Sequence, residues 1–394
     1  MNPCIIYLNK GEEKRLKQGD SWVYSNEIKN IKGFIKSGEE ALVYSYDEEF
    51  IGKGYLNTNS KIFVRILTRD INTDLDYDFF YNKILTAKKN REELGYSNSY
   101  RAFFSEADGI SGLIIDKYDK YLSIQILSYG LDLRKNMFTE ILKDIYKPLG
   151  IYERSDVNIR KKEGLESFSG ILYGEVPDYI NIYENNLKMI VDIKNGQKTG
   201  FYLDQQDNHD SVKNYVKDKE ILDCFSNIGG FSLHSSYYGC KKVISVDISD
   251  YALELVRKNA SLNKLNNINT IKADVFDLLR EYNEKNILFD MIILDPPAFT
   301  KNKDNLKKAY KGYKDINLQA LKLIKDNGIL YTCSCSHYMT IELFLNMVKE
   351  AASNCNKTIS LLELRVQSKD HPALMENEDS LYLKCAIFRV NNIK

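Results

Sequence analysis

From about residue 186 onward, short apolar runs alternate with helical patterns, and this alternation constrains the fold more than any other feature of the sequence. The apolar runs have the length and β-branched content of buried strands. They are EILDCF (220–225), KKVISVDIS (241–249), NINTIKAD (267–274), FDMIILDPP (289–297) and NGILYTCSCS (327–336). Strands joined by helices form a parallel sheet covered on both faces. We therefore predict an α/β fold, closed by an antiparallel pair from residues 360–367 and 380–390.

The preceding half of the chain has a different rhythm. Residues 1–72 contain short strands separated by turns, which predicts a small barrel-like β module. Residues 73–185 combine two helical patterns with a hairpin, which predicts a mixed α+β domain. A chain of 394 residues is long enough for two or three domains. We expect three, at residues 1–72, 73–185 and 186–394.

Charge and cysteine usage narrow the class of protein. Lysine plus arginine equal aspartate plus glutamate at 55 each, so bulk charge does not favour nucleic-acid binding. A local exception is the segment 301–315, with six lysines against two aspartates.

The seven cysteines are scattered and have no zinc-type spacing with the four histidines, which predicts a reducing compartment and no metal site. The sequence has no signal-peptide pattern and no apolar stretch near ~18 residues, so we expect a cytoplasmic protein with no membrane partner.

An acidic residue ends, or nearly ends, four of the predicted strands: Asp223, Asp247, Asp274 and Asp295. In open parallel sheets, ligands bind at this edge. The turn SNIGG after the first strand lacks the G-x-G-x-x-G pattern, which argues against a pyrophosphate cradle. Asp247 is placed to accept hydrogen bonds from ribose hydroxyls, and Asp274 from the adenine amine. These positions predict a site for an adenosine that carries something other than phosphate.

The run LDPPAF (294–299) uses two of the six prolines of the chain. Proline fixes φ and has no N–H, so the pair stops the strand sharply. Asp295 is left at the strand end and Phe299 follows on a stiffened loop. The pattern therefore predicts a polar and a flat apolar group held in fixed positions.

These motifs, taken in order, resemble those of the class I S-adenosylmethionine-dependent methyltransferases, and of the cytosine-5 methyltransferase family of large-subunit ribosomal RNA in particular. The resemblance rests on segments distributed over essentially the whole chain. They are RLKQGDSWVY (15–24), FFSEADGISGL (103–113), QKTGFYLDQ (197–205), DCFSNIGGF (223–231), VDIS (246–249), KADVF (272–276), LDPPAF, KGYKDIN (311–317), SCS (334–336), DHP (370–372) and SLYLK (380–384). The resemblance implies a PUA-like β-barrel, a central domain and a Rossmann-like seven-stranded methyltransferase sheet.

The resemblance also implies roles for individual residues. The cofactor would be S-adenosylmethionine, and the residues that bind it would be Lys198, Thr199, Phe201, Phe225, Gly229, Asp247, Asp274 and Asp295. Cys335 would be the nucleophile and Asp295 would hydrogen-bond the cytosine ring. The Pro296 carbonyl would accept from the exocyclic amine, and Phe299 would stack near the base. A related family has a second cysteine after the two prolines; here Ala298 stands there, which leaves the proton-removing base unassigned, with Asp295 acting through a water as our hypothesis.

Carbon 5 of cytosine is a poor nucleophile, and a thiolate added at carbon 6 activates it. Cys335 lies beyond the predicted strand end, whereas Cys333 is expected to pack in the sheet. A free thiol is only a few per cent ionised at neutral pH, so we expect help from its surroundings, such as the lysines of residues 301–314.

The partner expected from the resemblance is RNA, of the 23S ribosomal type. Lys14, Arg15 and Lys17 are candidate phosphate contacts and Trp22 a candidate stacking residue. The sequence leaves the oligomeric state open and is compatible with a homodimer. Three alternatives remain at this point: a methyltransferase for exocyclic nitrogen that uses the DPPAF motif, a nicotinamide-dependent dehydrogenase, and a non-catalytic RNA-binding protein.

Overall fold

The computed structural model describes residues 4–300, 304–377 and 380–393. Its contacts divide the chain into two compact units. Unit 1 consists of Met1–Ile182, Val191–Leu203 and Asp370–Ser380, and unit 2 of Tyr183–Ile190, Asp204–Lys369 and Leu381–Lys394. In the part of the chain that the structure describes, no helix combines the length and the hydropathy needed to cross a bilayer.

Unit 1 begins with a six-stranded sheet in the order β2-β6-β5-β4-β1-β3. Its strands are β1 Cys4–Leu8, β2 Trp22–Tyr24, β3 Ile28–Lys32, β4 Glu40–Tyr44, β5 Phe50–Leu56 and β6 Ile62–Thr68, with the short helix α1 at Glu13–Lys17. Buried and half-exposed residues alternate along β1 and β4, as the period of two predicts for a sheet with one buried face. β3 was not predicted from the sequence, because only Ile28 and Ile31 in it are apolar.

A second sheet of unit 1 has five strands in the order β11-β10-β9-β8-β7. Its elements are β7 Ser99–Phe104, β8 Leu113–Tyr118, β9 Tyr121–Ile126, β10 Gly150–Ser155 and β11 Phe168–Gly174, with helices α2 Tyr77–Glu93, α3 Tyr129–Asp132, α4 Lys135–Tyr146 and α5 Ile159–Lys162. The predicted hairpin is β8–β9, and the two predicted helices are α2 and α4. A separate two-stranded hairpin follows, β12 Ile180–Glu184 with β13 Leu187–Val191.

Unit 2 contains a seven-stranded sheet in the order β16-β15-β14-β17-β18-β20-β19. Its strands are β14 Glu220–Cys224, β15 Lys242–Asp247, β16 Ile268–Lys272, β17 Phe289–Leu294, β18 Ile324–Ser334, β19 Lys357–Arg365 and β20 Lys384–Asn392. Its helices are α6 Gln206–Ser211, α7 Gly230–Tyr237, α8 Asp250–Leu262, α9 Val275–Glu284, α10 Leu306–Leu323 and α11 Ile341–Ser353. β14 to β18 are parallel, and β20 is antiparallel to both neighbours, which confirms the predicted α/β sheet and its closing pair.

The seven-stranded sheet is covered on both faces. Leu222 and Cys224 of β14 belong to the apolar cluster formed with helices α9, α10 and α11. Ile221, whose side chain points the opposite way, belongs to a cluster with Phe231 of α7. The strands are parallel, so the carboxyl ends of β14 to β18 share one edge of the sheet, where the strand-end acids lie.

Candidate active site

The turn after β14 has an unusual backbone. Phe225, Asn227 and Gly229 have φ angles of +63°, +49° and +93°. This left-handed region is uncommon for residues other than glycine and is concentrated at functional sites. The turn is held by two backbone bonds, Ser226 N–H to the Val246 carbonyl at 2.9 Å and Gly229 N–H to the Ser226 carbonyl at 2.8 Å. It thus holds the start of α7 in a fixed position beside the end of β14.

The glycines of this turn are required by close packing. A Cβ on Gly229 would lie 3.2 Å from both γ-carbons of Val256, and a Cβ on Gly230 would lie 2.2 to 2.7 Å from ring atoms of His209. The His209 ring therefore lies directly against the backbone at the start of α7.

His209 belongs to a buried cluster with Glu184 and His234, whose ligand-type atoms lie within 4.8 Å of one another. His209 Nδ1 is 2.6 Å from Glu184 Oε1. His234 Nδ1 is 2.8 Å from the Gly230 carbonyl, and its Nε2 is 3.1 Å from Asn185 Nδ2. Burial opposes the charge, but Glu184 holds the pKa of His209 above its ordinary value. We interpret the cluster as a His209–Glu184 ion pair that supports the turn, since a metal would have to displace these hydrogen bonds.

Asp223, in β14, is fully buried. Its Oδ2 accepts a 2.6 Å hydrogen bond from the Ser232 hydroxyl. Among the described residues its Oδ1 has no hydrogen-bond partner, and neither has the buried Ser226 hydroxyl. Burial raises the pKa of Asp223 to about 7, and the charge of Asp295 adds to the rise. Buried polar atoms without partners mark a place where a polar ligand fits.

Asp247 ends β15 and is held by the backbone. Its two oxygens accept 2.9 Å hydrogen bonds from Asn227 N–H and Ser249 N–H. Each oxygen keeps acceptor capacity for a further donor, such as a ribose hydroxyl. The next residue, Ile248, is 67% exposed, and an exposed apolar side chain beside a fixed carboxylate suits the face of a nucleobase.

Asp274 follows β16 and caps α9, since its side chain accepts a 2.8 Å hydrogen bond from Phe276 N–H. It is exposed, and its second oxygen lies on the same edge of the sheet as Asp247. The orphaned Asp223 oxygen, the fixed Asp247 carboxylate and the exposed Asp274 together fit an adenosine with a cationic substituent, as S-adenosylmethionine is.

Three other cofactor candidates, Lys198, Thr199 and Phe201, belong to unit 1. The Thr199 hydroxyl donates to the Asp116 carboxylate, and the Phe201 N–H donates to the Tyr118 hydroxyl at 3.2 Å. Thr199 and Phe201 are buried, while the Lys198 ammonium lies 4.4 Å from the centre of the Tyr202 ring.

At the end of β17, Asp295 is half-buried and Pro296 is buried. Phe299 packs against α10, with its ring centre 4.4 Å from that of Tyr313 and 5.9 Å from that of Phe276. The Ser336 hydroxyl donates to the Thr300 carbonyl at 3.2 Å, which joins this loop to the loop after β18. The lysines at 301 and 303 of the basic segment lie outside the described residues.

Cys335 follows β18, the strand beside β17, and is half-buried. Cys333 is fully buried, as predicted, with its sulfur 2.8 Å from that of Cys385. Burial raises the pKa of Cys333 well above its ordinary value.

The sequence analysis did not single out Tyr313 or Lys384 as site residues. Tyr313 is fully buried. Burial raises the pKa of its hydroxyl, and the charges of Cys335 and Asp295 raise it further. The Lys384 ammonium donates to the Ser336 carbonyl at 2.6 Å. The signal for Lys384 was a lysine within the apolar run LYLKCAIF.

The candidate RNA contacts in unit 1 are largely engaged with other side chains. The Arg15 guanidinium pairs with Asp20 and, at 2.9 Å, with Glu27. The Trp22 N–H lies 3.0 Å from Glu106 Oε1 and from the Ser111 hydroxyl. Lys14 is exposed, and Lys17 is exposed and pairs with Glu49.

Comparison with known proteins agrees with this geometry. Residues 6–69 match the model of the PUA-like domain, and residues 155–388 match that of the S-adenosylmethionine-dependent methyltransferases. A relative from Aeromonas salmonicida, named ribosomal RNA large subunit methyltransferase I, is 42% identical over 392 residues, which cover 98% of this chain and 99% of the relative. A relative of the same name from Aliivibrio fischeri is 41% identical over 391 residues, with coverage of 98% and 99%.

Among solved structures, a putative S-adenosylmethionine-dependent methyltransferase from Streptococcus mutans has the same fold. The TM-score is 0.83 at 24% identity, with 98% of this chain and 99% of that chain covered. The match to the methyltransferase model excludes the dehydrogenase alternative. The chain belongs to the ribosomal RNA large subunit methyltransferase I family and is an S-adenosylmethionine-dependent methyltransferase with an N-terminal PUA-like domain.

Proposed function

We propose that this protein methylates carbon 5 of a cytosine in large-subunit ribosomal RNA through a covalent bond to Cys335. The observation that carries this proposal is the adjacency of three strand ends. β14 leads into the glycine turn, β17 into Asp295 and β18 into Cys335, and these strands are neighbours in the order β14-β17-β18. A cysteine at that position has no necessary role in methylation of an exocyclic nitrogen.

S-Adenosylmethionine supplies an electrophilic methyl group on its sulfonium. We propose that Asp247 binds the ribose hydroxyls, Asp274 the adenine amine, and Phe225 and Gly229 the methionine part. Support comes from the fixed Asp247 carboxylate and from the exposed Ile248 beside it, which can contact adenine. Lys198, Thr199 and Phe201 remain proposed cofactor contacts of unit 1.

The Cys335 thiolate would attack carbon 6 of cytosine, and the electron pair of the C5–C6 double bond would then form the new bond from carbon 5 to the methyl group. The methyl–sulfur bond of the cofactor breaks with its electrons on sulfur. Removal of the carbon-5 proton re-forms the double bond and expels the thiolate. We propose that Asp295 hydrogen-bonds the ring during attack and removes this proton through a water, since Ala298 stands where the related family has a second cysteine.

The target base must leave its stack to reach such a site. We propose that the Pro296 carbonyl accepts from the cytosine amine and that Phe299, held against Tyr313, contacts the base. The PUA-like domain would supply affinity for RNA, with Lys14, Arg15 and Lys17 as phosphate contacts and Trp22 as a stacking residue. The names of the relatives support large-subunit ribosomal RNA as the substrate.

The test uses Cys335→Ala together with RNA in which 5-fluorocytosine replaces cytosine. Fluorine cannot leave as a proton does, so the wild-type protein should remain covalently attached to this RNA on a denaturing gel. The variant should form no adduct and should lose methylation by at least ~10³-fold, the scale expected when a covalent nucleophile is removed. Cys355→Ala, a change at the other half-buried cysteine, is the control and should behave as wild type. Full methylation by Cys335→Ala would instead support transfer to an exocyclic nitrogen.

A further inference from the structure

Lys384 lies beside the proposed nucleophile. It is the first residue of β20 and pairs across the antiparallel ladder with Ser334, the residue before Cys335. Its ammonium donates to the carbonyl of Ser336, the residue after Cys335, at 2.6 Å, and to the Tyr382 carbonyl at 2.8 Å. Lys384 thus lies beside the backbone on both sides of Cys335, through its own backbone at Ser334 and through its ammonium at Ser336.

The surroundings of Lys384 are unusual for a lysine. The residue is only 2% exposed, and among the described residues no carboxylate lies within ion-pair distance of its ammonium. Buried lysines are rare unless they are paired with an opposite charge. Burial lowers the pKa of Lys384 to about 8. The charges of Cys335 and Cys385 oppose this decrease.

Other groups on neighbouring elements face the same place. Burial raises the pKa of the Tyr313 hydroxyl of α10, and the charges of Cys335 and of Asp295, at the end of β17, raise it further. Cys333 and Cys385 are fully buried and Cys335 is half-buried, so a reactant from solvent meets Cys335 first. Among the described residues, Lys384 is the cation at this position.

We propose that Lys384 is a positioning residue whose ammonium favours ionisation of Cys335 and holds the resulting thiolate as an ion pair. The proposal rests on the proposed role of Cys335 in methyl transfer. In the step, the S–H bond of Cys335 breaks with its electrons on sulfur, a water molecule takes up the proton, and the Lys384 ammonium stays charged beside the thiolate. The same ammonium faces the sulfur when the thiolate is expelled from carbon 6.

A purely structural role would use Lys384 only to tie the Ser336 and Tyr382 carbonyls. Lys384→Gln separates the two roles, because the amide can donate hydrogen bonds to carbonyls but carries no charge. Lys384→Arg keeps the charge. The matched control is Lys357→Gln, because Lys357 also donates to a backbone carbonyl, that of Ile324 at 2.9 Å, and also lies near a half-buried cysteine, Cys355.

The experiment measures alkylation of Cys335 by iodoacetamide in the full-length protein between pH 5 and 10, with the modified peptide quantified by mass spectrometry. The thiolate is the reactive form, so the profile reports ionisation. Lys384→Gln should move the midpoint of the Cys335 profile up by about one pH unit and slow alkylation at pH 7 by about tenfold. Lys384→Arg should restore most of the wild-type profile. Lys357→Gln should leave Cys335 unchanged and should move the profile of Cys355.

A Cys335 midpoint in Lys384→Gln within about 0.3 pH units of the wild type would overturn the proposal. So would an arginine variant that behaves like the glutamine variant, since the charge would then not be the cause. Because alkylation needs neither RNA nor cofactor, these outcomes are separate from methylation. If Lys384→Gln shifts the Cys335 alkylation profile but Cys335→Ala still methylates RNA, the ion pair is supported and the proposed function is wrong.

Discussion

Two parts of the same sheet edge in unit 2 are built in different ways. The cofactor edge consists of Asp223, Asp247 and Asp274, and the transfer edge of Asp295, Phe299, Cys335 and Lys384. On the cofactor edge, backbone N–H groups of the strand-to-helix turns hold the acids: Asn227 and Ser249 hold Asp247, and Phe276 holds Asp274. On the transfer edge, Phe299 is held by Tyr313 of α10 and the Cys335 loop by Lys384 of β20.

The difference separates two physical problems. A site that binds a cofactor can be made from strand–turn–helix units, because the backbone N–H groups of their turns hold the acids at the strand ends. A site that performs a reaction needs groups from several distant elements, because the thiol, a cation and an acid must meet at one base. We therefore expect changes on the cofactor edge to leave the transfer edge intact.

Among the variants that test whether the cofactor edge is independent of the transfer edge, Asp247→Ala should have the largest effect. The variant loses the two proposed hydrogen bonds from ribose to a charged acceptor, each worth about 1.5 kcal/mol or more, so affinity for S-adenosylmethionine should fall on the order of 100-fold. Isothermal titration calorimetry measures this, and the Cys335 alkylation profile should not move. Asp250→Ala, at an exposed acid that pairs with Lys272, is the control and should bind normally. If Asp247→Ala binds S-adenosylmethionine as tightly as wild type does, the proposed contact between Asp247 and the ribose is wrong.

A smaller effect is expected from Asp223→Asn on stability. Burial raises the pKa of Asp223 to about 7, above its ordinary value of 3.8. The folded protein therefore holds a proton that the unfolded chain releases, and stability falls as pH rises from about 4 to 7. Asparagine has no proton to lose, so the variant should be more stable than wild type by about 2 kcal/mol at pH 8 and equal to it near pH 4. Thermal unfolding without cofactor at both pH values measures the difference.

Asp290→Asn, in the same sheet, should change stability at pH 8 in the opposite direction to Asp223→Asn. Burial opposes it, but the Glu220 N–H and the Lys325 ammonium hold the pKa of Asp290 below its ordinary value. Its stabilising effect is present at neutral pH and is lost on acidification, so this variant should be less stable than wild type at pH 8. If both variants shift stability in the same direction at pH 8, the burial argument for Asp223 is wrong.

The smallest effect is expected at Asp274. Asp274→Asn keeps the helix cap but loses the negative charge, so cofactor affinity should fall about fivefold while thermal stability stays the same. Asp274→Ala should show the same loss of affinity and also lose about 1 kcal/mol of stability with the cap. Ser249→Ala, which removes the cap of α8, should reproduce the loss of stability alone. Tight binding by Asp274→Ala would exclude the adenine amine as its partner.

The sequence predicted the strands of unit 2 and the motifs at their ends well, because the sequence patterns that indicate them are local. Apolar runs, the proline pair and the acids at strand ends follow from backbone conformation and from the period of side chains. The N-cap of α8 is a signal of the same kind, since Ser249 is a preferred capping residue and accepts from the Ala252 N–H. β3 was missed because Ile28 and Ile31 lie three residues apart, a spacing that does not indicate a strand.

By itself, the sequence determined the parallel sheet, the glycine turn and the positions of the strand-end acids, since each depends on a few consecutive residues. Only the tertiary structure decided that Tyr313 packs against Phe299, that His209 contacts Glu184 and the glycine turn, and that the buried Lys384 bonds to the carbonyl next to Cys335. Those contacts join elements far apart in the chain, and their energy comes from desolvation and packing, which no short sequence pattern encodes.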